Sequence, residues 1–194
     1  MMRKSSFRRD LPWGKECERA FAKLHSGYVE LTDGLRGDLT LPRRNNELAE
    51  LKSESYSTNT DPLSEENMRF REAAGIPNPP GREWKPSRNI AVERWSSESE
   101  RKPGGPWQAQ KHGVKWYMHF FAGDGKIFAY LADELVEFMD RALKKNPNRF
   151  DEFRFDNGGY TTMVYVVPRD AVKHLEVYGL FDGDGIRLGR RKRR

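Results

Sequence analysis

The chain has 194 residues, of which 36% are hydrophobic and 33% charged, with a formal net charge of +6 and an isoelectric point of about 9.4. This length suits one domain with a sizeable core and excludes two large ones. The low hydrophobic fraction predicts long polar segments, although an aromatic content of 12% argues against general disorder. The basic charge balance favours a polyanionic partner.

Cysteine usage and hydropathy predict the compartment. Cys17 is the single cysteine of the sequence, so no disulfide can form within the chain and a reducing compartment is expected. No apolar run approaches the roughly 20 residues that a membrane-spanning helix needs. The basic N-terminus is not followed by the apolar segment of a secretory signal. We therefore expect a cytoplasmic protein without a membrane partner.

The first third of the chain predicts a helix followed by three strands. Residues 1–12 are basic and irregular, and we predict that they form an arm. Apolar residues spaced i, i+3, i+4, i+7 from Cys17 to Leu24 predict an amphipathic helix that ends by Gly27. Alternating apolar residues then predict three strands, the first two forming a hairpin, at residues 28–32, 38–42 and 47–56.

The remainder of the chain predicts further alternation of strands and helices around one sheet. Residues 57–88 are rich in proline, serine and charge, which predicts an irregular insertion with one helix near 64–75. The segments after it predict a strand, a short helix, a hairpin, an amphipathic helix, and a strand pair with a short helix, at residues 89–95, 106–113, 114–132, 133–146 and 150–175. Residues 1–194 are thus predicted to be one α+β domain, with a central mixed β-sheet flanked by helices and a basic tail at 187–194.

Two acids and a lysine in the predicted strands form a candidate site. Because strand periodicity is two, Glu50 and Lys52 share one face while Leu51 points to the other, and the intervening turn returns the chain beside Asp38. Carboxylates and water suit Mg²⁺, and a nearby ammonium can orient a water or balance charge on a phosphate. The pattern predicts phosphodiester hydrolysis. The alternative is that Glu50 and Lys52 protect an exposed edge strand from aggregation.

The order of these residues resembles the PD-(D/E)XK nuclease superfamily, in its Holliday-junction-resolvase-like and phage nuclease branch. That branch has a G-x-x-x-E-R pattern on a helix upstream of the hairpin, and the segment "GKECER" is similar to it. The matching acid is Glu18, with Glu16 as a nearby competitor. The resemblance extends over residues 13–56 and, by strand order alone, over 88–130. It departs from the motif's name, since Asp38 does not follow the proline that some members have.

This resemblance implies a restriction-endonuclease-like core of α/β/α type and a Mg²⁺-dependent deoxyribonuclease, with Mn²⁺ able to substitute. It implies that Asp38 and Glu50 hold the metal, that Glu18 completes or supports the metal shell, and that Lys52 orients the attacking water. It also implies a phage or bacterial role in DNA processing, recombination or degradation, in the host cytoplasm if the protein is phage-encoded. A homodimer is compatible with it.

Four further residues are candidates for contacts around the site or with the substrate. Gln108 lies on a predicted short helix, and related nucleases often have a polar residue on a helix beside the active site; ordinary packing of that helix through Trp107 is the alternative. Glu54 shares the predicted face of the first acid and the lysine. Arg43 and Arg44 lie in the turn before the strand, where they can bind phosphates through charge. A solvated charge is the alternative for Glu54 and both arginines.

A second hypothesis is a non-catalytic nucleic-acid-binding protein, and a third is a structural or interaction protein of a virus. The basic clusters serve binding equally well, although the last could instead be a nuclear-import signal; they lie at residues 3–9, 42–46, 81–88 and 189–194. Lys52 discriminates between the first two hypotheses, because hydrolysis needs a positive charge on the face of the acids. The four histidines lack the spacing of a zinc site, so no transition metal is expected.

Overall fold

The computed structural model describes residues 2–4, 7–33, 37–58 and 61–177, with side chains from residue 11 onward. The tail predicted at 187–194 lies outside these residues. Of the helices in the described ranges, none is long and apolar enough to cross a membrane.

The described residues form twelve strands, five α-helices and two 3₁₀ turns. The strands are β1 (Met2–Lys4), β2 (Glu30–Leu31), β3 (Leu39–Leu41), β4 (Glu47–Glu54), β5 (Tyr56–Ser57), β6 (Lys85–Pro86), β7 (Asn89–Ser97), β8 (Lys102–Pro103), β9 (Trp116–Phe121), β10 (Lys126–Leu131), β11 (Asp151–Asp156) and β12 (Thr161–Pro168). The α-helices are α1 (Phe7–Leu24), α2 (Glu65–Ala74), α3 (Gly105–Lys111), α4 (Ala132–Lys145) and α5 (Arg169–Val172). The 3₁₀ turns are Pro42–Arg44 and Lys173–Leu175.

One sheet, here the β4 sheet, contains the three strands predicted after the first helix. Its strand order is β10-β9-β4-β3-β2. Strands β2, β3 and β4 pair antiparallel in sequence, whereas β4 and β9 run parallel. Parallel neighbours need a crossover, and the chain between β4 and β9 passes through α2, β7 and α3. The predicted α+β class with a mixed sheet flanked by helices is therefore confirmed.

A second sheet, here the β7 sheet, was not predicted. Its order is β1-β11-β12-β7-β8, so the strands found on both sides of the second hairpin leave the β4 sheet and pair with one another. The two sheets are joined at a polar contact, because Glu54 at the end of β4 accepts a hydrogen bond from the backbone N–H of Ala91 in β7, at 3.3 Å. This contact brings β7 next to the strand of the candidate site.

The burial pattern of β4 separates a core face from a site face. Ala49 and Leu51 are buried in the cluster that α1 completes with Cys17 and Phe21. The side chain at the neighbouring position, Leu48, packs instead into the cluster shared by α3, α4 and β7. Successive residues of a strand point to opposite sides of the sheet. The even-numbered residues of β4 therefore face away from most of α1.

Two predicted boundaries are wrong. Residues 2–4 and 7–12 of the predicted arm are not irregular, because β1 pairs parallel with β11 and α1 already begins at Phe7. Pro12 lies inside this helix, where it removes one intrahelical hydrogen bond but does not end the helix. The insertion at 57–88 contains the predicted α2, and its strand β6 pairs with β5, which begins one residue before the insertion.

The insertion is packed rather than loosely attached to the domain. Trp84 is 7% exposed and its ring lies 6.3 Å from that of Trp13 on α1. Arg71 on α2 stacks over Trp84 and donates hydrogen bonds to two backbone carbonyls, those of Pro62 and Gly123. Composition alone suggested an excursion because the few aromatic residues that anchor it are far apart in sequence.

Candidate active site

Asp38 lies where β3 and β4 separate. The backbone N–H of Asp38 donates to the carbonyl of Ala49 at 3.0 Å, which is among the last contacts between the two strands. The Asp38 carboxylate then accepts a hydrogen bond from the backbone N–H of Leu51 at 2.8 Å. Leu51 stands between Glu50 and Lys52, so this bond fixes the aspartate beside both. The predicted return of the chain to Asp38 is confirmed.

Glu50 and Lys52 are on one face of β4, as strand periodicity predicted. The Lys52 ammonium donates to Glu50 Oε1 at 2.7 Å, and the two side chains expose 33% and 22% of their surfaces. Strand β4 lies between β3 and β9 rather than at an edge of its sheet. The alternative role of these charges, protection of an edge strand, is therefore wrong.

Burial and neighbouring charges set the pKa of Asp38 and of Lys52, and both are raised. Burial raises the pKa of Asp38 most, and the charge of Glu50 adds to it, whereas Lys52 and the Leu51 N–H act in the opposite direction. Burial opposes the charge of Lys52, but the charges of Glu50, Tyr117, Glu93 and Asp38 together hold the pKa of that ammonium well above its usual range. The lysine thus remains a cation among acids.

Glu18 is the residue of α1 that reaches this group of charges. Burial raises its pKa to about 7, with contributions from the charges of Asp38 and Glu50, while Lys52 lowers it. Glu16 is exposed on the same helix. Between the two acids that the sequence offered, Glu18 is therefore the one in the field of the site.

We expect Glu18→Gln to stabilise the metal-free protein at pH 8 and to have little effect near pH 4.5. A carboxyl whose pKa rises on folding stabilises the fold at low pH, and this contribution is lost as pH increases from 4.5 to about 7. Glutamine stays neutral, so its gain grows across that window, reaching on the order of 1–2 kcal/mol after allowance for partial exposure. Urea unfolding in EDTA at several pH values measures it. Glu16→Gln is the control, and an equal pH dependence for both variants contradicts the prediction.

Two residues near the acids were missed or misjudged from sequence. Glu93 on β7 is not among the predicted site residues; burial raises its pKa, Lys52 lowers it, and Glu50 adds to the rise. Tyr117 on β9 pairs in register with Glu50 and is fully buried. The sequence has no signal for Tyr117, because its place depends on the parallel pairing of β4 with a strand more than 60 residues away.

Two glycines let α3 approach this cluster. A Cβ on Gly104 would lie 2.4 Å from the Glu93 carboxylate oxygen Oε1. A Cβ on Gly105 would lie 2.7 Å from the Glu93 carbonyl oxygen and 3.0 Å from the Tyr117 hydroxyl. Gly105 also has a φ of +46°, in the left-handed region that favours glycine. Side chains at these positions would push α3 away from the site.

Gly105→Ala is expected to destabilise the protein more than Gly113→Ala. Both glycines have positive φ, at +46° and +71°, so alanine pays about 1–2 kcal/mol for backbone strain at either position. Only Gly105 also has backbone and side-chain atoms within 3.0 Å of the added carbon, whereas Gly113 has open space. We expect roughly 1–3 kcal/mol of additional loss at Gly105 from this overlap. Chemical denaturation of both variants tests the difference, and equal losses contradict the close approach.

Of the four residues predicted around the site, Glu54 has a structural role. Its carboxylate accepts from Ala91 N and lies 3.1 Å from Nδ1 of the buried His119, and its side chain is 12% exposed. The interpretation of Glu54 as a solvated charge is wrong, because the Glu54 carboxylate joins the two sheets.

Gln108 is half-buried on α3, one turn after Gly104, and its contact with substrate stays a prediction. Trp107 is in the core, as its packing alternative predicted.

Arg43 and Arg44 make local contacts on the 3₁₀ turn before β4. Arg43 donates to the carbonyl of Gly27 at 3.1 Å and stacks over Tyr28. Arg44 pairs with Glu47 at 3.1 Å. These contacts hold the turn beside β4, and a role in phosphate binding stays a prediction for both residues.

The donor chemistry of the cluster fits a hard divalent cation. Within residues 11–33, 37–58 and 61–177, no three His, Cys, Asp or Glu side chains converge tightly enough to coordinate an ion as they stand. Mg²⁺, however, is commonly held by one or two carboxylates and keeps several waters. Asp38 and Glu50 supply two such groups beside one backbone segment, and the charge of Glu50 adds to burial in raising the pKa of Asp38, a repulsion that a cation would relieve. Asp38 and Glu50 are therefore the residues that could hold it.

Known proteins offer no further guide to this site. Comparison of the chain with protein-family models, with curated proteins and with solved structures finds no match.

Proposed function

We propose that the protein is a Mg²⁺-dependent deoxyribonuclease of the PD-(D/E)XK type. The observation that carries the proposal is the meeting of Asp38, Glu50 and Lys52 at the point where β3 and β4 separate. Two carboxylates fixed to one strand and a cation on the same face are the groups that metal-assisted phosphodiester hydrolysis requires.

Each residue has a distinct role in this proposal. Mg²⁺ held by Asp38 and Glu50 would supply Lewis acidity and a water of lowered pKa. The Lys52 ammonium orients the attacking water and balances negative charge that develops on the phosphate. Glu18, with a pKa of about 7, can take up or release a proton near neutral pH and supports the shell of the two acids.

The connection of the elements supports the same proposal. Helix α1 and the meander β2-β3-β4 come in the order on which the resemblance rests, and α3 and β9 follow after α2 and β7. The packing of α1 against β4 brings Glu18 into the field of Asp38 and Glu50. The net charge of +6 suits a nucleic acid as the substrate.

The direct test is cleavage of plasmid, linear and branched DNA by the purified protein, in Mg²⁺, in Mn²⁺ and in EDTA. We expect cleavage in either metal, none in EDTA, and none by Glu50→Gln. Glu137→Gln, an exposed acid on α4, is the matched control and should cut like the wild type. Retention of DNA on the protein without cleavage of any substrate would instead support the non-catalytic binding protein.

A further inference from the structure

The buried hydroxyl of Tyr117 takes no part in the proposed metal binding or hydrolysis. Tyr117 pairs with Glu50 across the parallel strands β9 and β4, so the two side chains share a face of the sheet. Its side chain is fully buried, and its oxygen has no hydrogen-bond partner within the described part of the chain. Buried hydroxyls are nearly always paired, so an unpaired one at this position calls for an explanation.

Glu93 approaches the same place from the other sheet. The glycine pair of α3 touches both residues: the Cβ position of Gly104 lies 2.4 Å from Glu93 Oε1, and that of Gly105 lies 3.0 Å from the Tyr117 hydroxyl. The hydrogen bond from Ala91 N to Glu54 holds β7 against β4 two residues before Glu93. The carboxylate of Glu93 and the hydroxyl of Tyr117 are thus gathered around two residues that have no side chain.

The Glu93 carboxylate and the Tyr117 hydroxyl are both able to accept hydrogen bonds from the Lys52 ammonium. An ammonium has three N–H donors, and Glu50 Oε1 accepts one of them. When the Glu50 carboxylate coordinates a cation, its ion pair with the Lys52 ammonium weakens. The lysine then needs other acceptors if it is to keep its orientation toward the water and the phosphate.

We propose that Glu93 and Tyr117 form a second anchor for the Lys52 ammonium, which holds the lysine in place when Glu50 binds the metal. The inference rests on the proposed nuclease function and extends it to two residues outside the motif. Both are positioning residues, because they act through Lys52. Lys52 extends from the same face of β4 as Glu50, so its ammonium lies on the side of the sheet to which Tyr117 also points.

Tyr117→Phe separates this role from a structural one. The hydroxyl makes no hydrogen bond in the described residues, so its removal should leave the melting temperature unchanged or higher. Positioning nevertheless predicts a fall of about tenfold or more in the cleavage rate at saturating enzyme, with the enzyme concentration for half-maximal rate unchanged. Glu93→Gln should have the same effect. Tyr165→Phe, a buried tyrosine of β12, and Glu137→Gln are the controls and should cut normally.

The side-chain ammonium resonance of Lys52 provides a readout other than activity. In ¹⁵N-labelled wild type the Lys52 signal, assigned by its loss in Lys52→Met, should persist when Mg²⁺ is added. In Tyr117→Phe and Glu93→Gln it should broaden or vanish on addition of Mg²⁺, because the ammonium is no longer held.

The outcomes distinguish this inference from the function on which it rests. If the wild type cuts DNA and Glu50→Gln does not, while Tyr117→Phe and Glu93→Gln keep the wild-type rate and the Lys52 signal, the second anchor is overturned and the nuclease stands. If the wild type cuts no substrate with any metal, the nuclease itself is overturned, and the anchor falls with it.

Discussion

Asp38→Asn should abolish Mg²⁺-dependent cleavage and at the same time make the metal-free protein more stable. Asparagine retains an oxygen that can accept from the Leu51 N–H, so the local backbone is preserved. It lacks the negative charge that would hold the metal, and we expect a rate loss of at least about 10²–10³-fold, the scale for removal of one charge-stabilising group. Cleavage of a labelled DNA substrate under single-turnover conditions measures the loss.

The gain in stability follows from the raised pKa of Asp38. The folded protein favours the neutral carboxyl, which stabilises the fold at acid pH, and the contribution is lost as pH rises through the folded value. Asparagine is neutral at every pH, so the variant should unfold at a higher temperature than the wild type in EDTA at pH 7. Asp151→Asn, an exposed aspartate of β11, is the matched control. A destabilised but active Asp38→Asn would show that the aspartate serves the fold and not the chemistry.

Lys52→Met should lose activity to a similar extent but lower the stability. Methionine keeps the length of the aliphatic chain without the ammonium, so the transition-state phosphate loses its cation and the rate should drop by about 10²–10³-fold. Glu50 also loses its partner at 2.7 Å, and the acids around it are left without a compensating charge. Thermal unfolding in EDTA and single-turnover cleavage are the measurements.

The opposite signs of the two stability changes make the pair diagnostic. Lys111→Met, an exposed lysine of α3, controls for loss of a positive charge and should leave both rate and stability unchanged. In the double variant Asp38→Asn, Lys52→Met, the loss from the lysine should be smaller than in the single variant, because one repelling acid is already neutral. Additive stability changes would mean that the two side chains do not interact.

The part of the site that sequence predicted is the part that local geometry determines. Glu50 and Lys52 share a face because β4 alternates buried and half-exposed residues, with Ala49 and Leu51 in the core. Asp38 returns beside them because β3 and β4 are joined by a short turn. These relations depend on strand period and turn length, which single sequences reveal.

The remainder depends on contacts between distant segments. The pairing of Glu50 with Tyr117 needs the register of two parallel strands, and the position of Glu93 needs the docking of the β7 sheet. Neither the strand register nor the docking of the sheets produces a periodic pattern in the sequence. The start of α1 at Phe7 was missed for another reason, since proline is usually a boundary and Pro12 lies inside this helix.

The alternation along β4 also limits how this protein can change by insertion and deletion. One residue gained or lost within Glu47–Glu54 would turn Glu50 and Lys52 toward α1 and remove Leu51 from its core cluster, since a shift of one residue reverses every side chain of a strand. The turn at residues 42–46 is free of that constraint so long as it returns the chain to the same register. Length variation among related sequences should therefore accumulate in the turn and be absent from β4, because the register of β4 positions the side chains of the site.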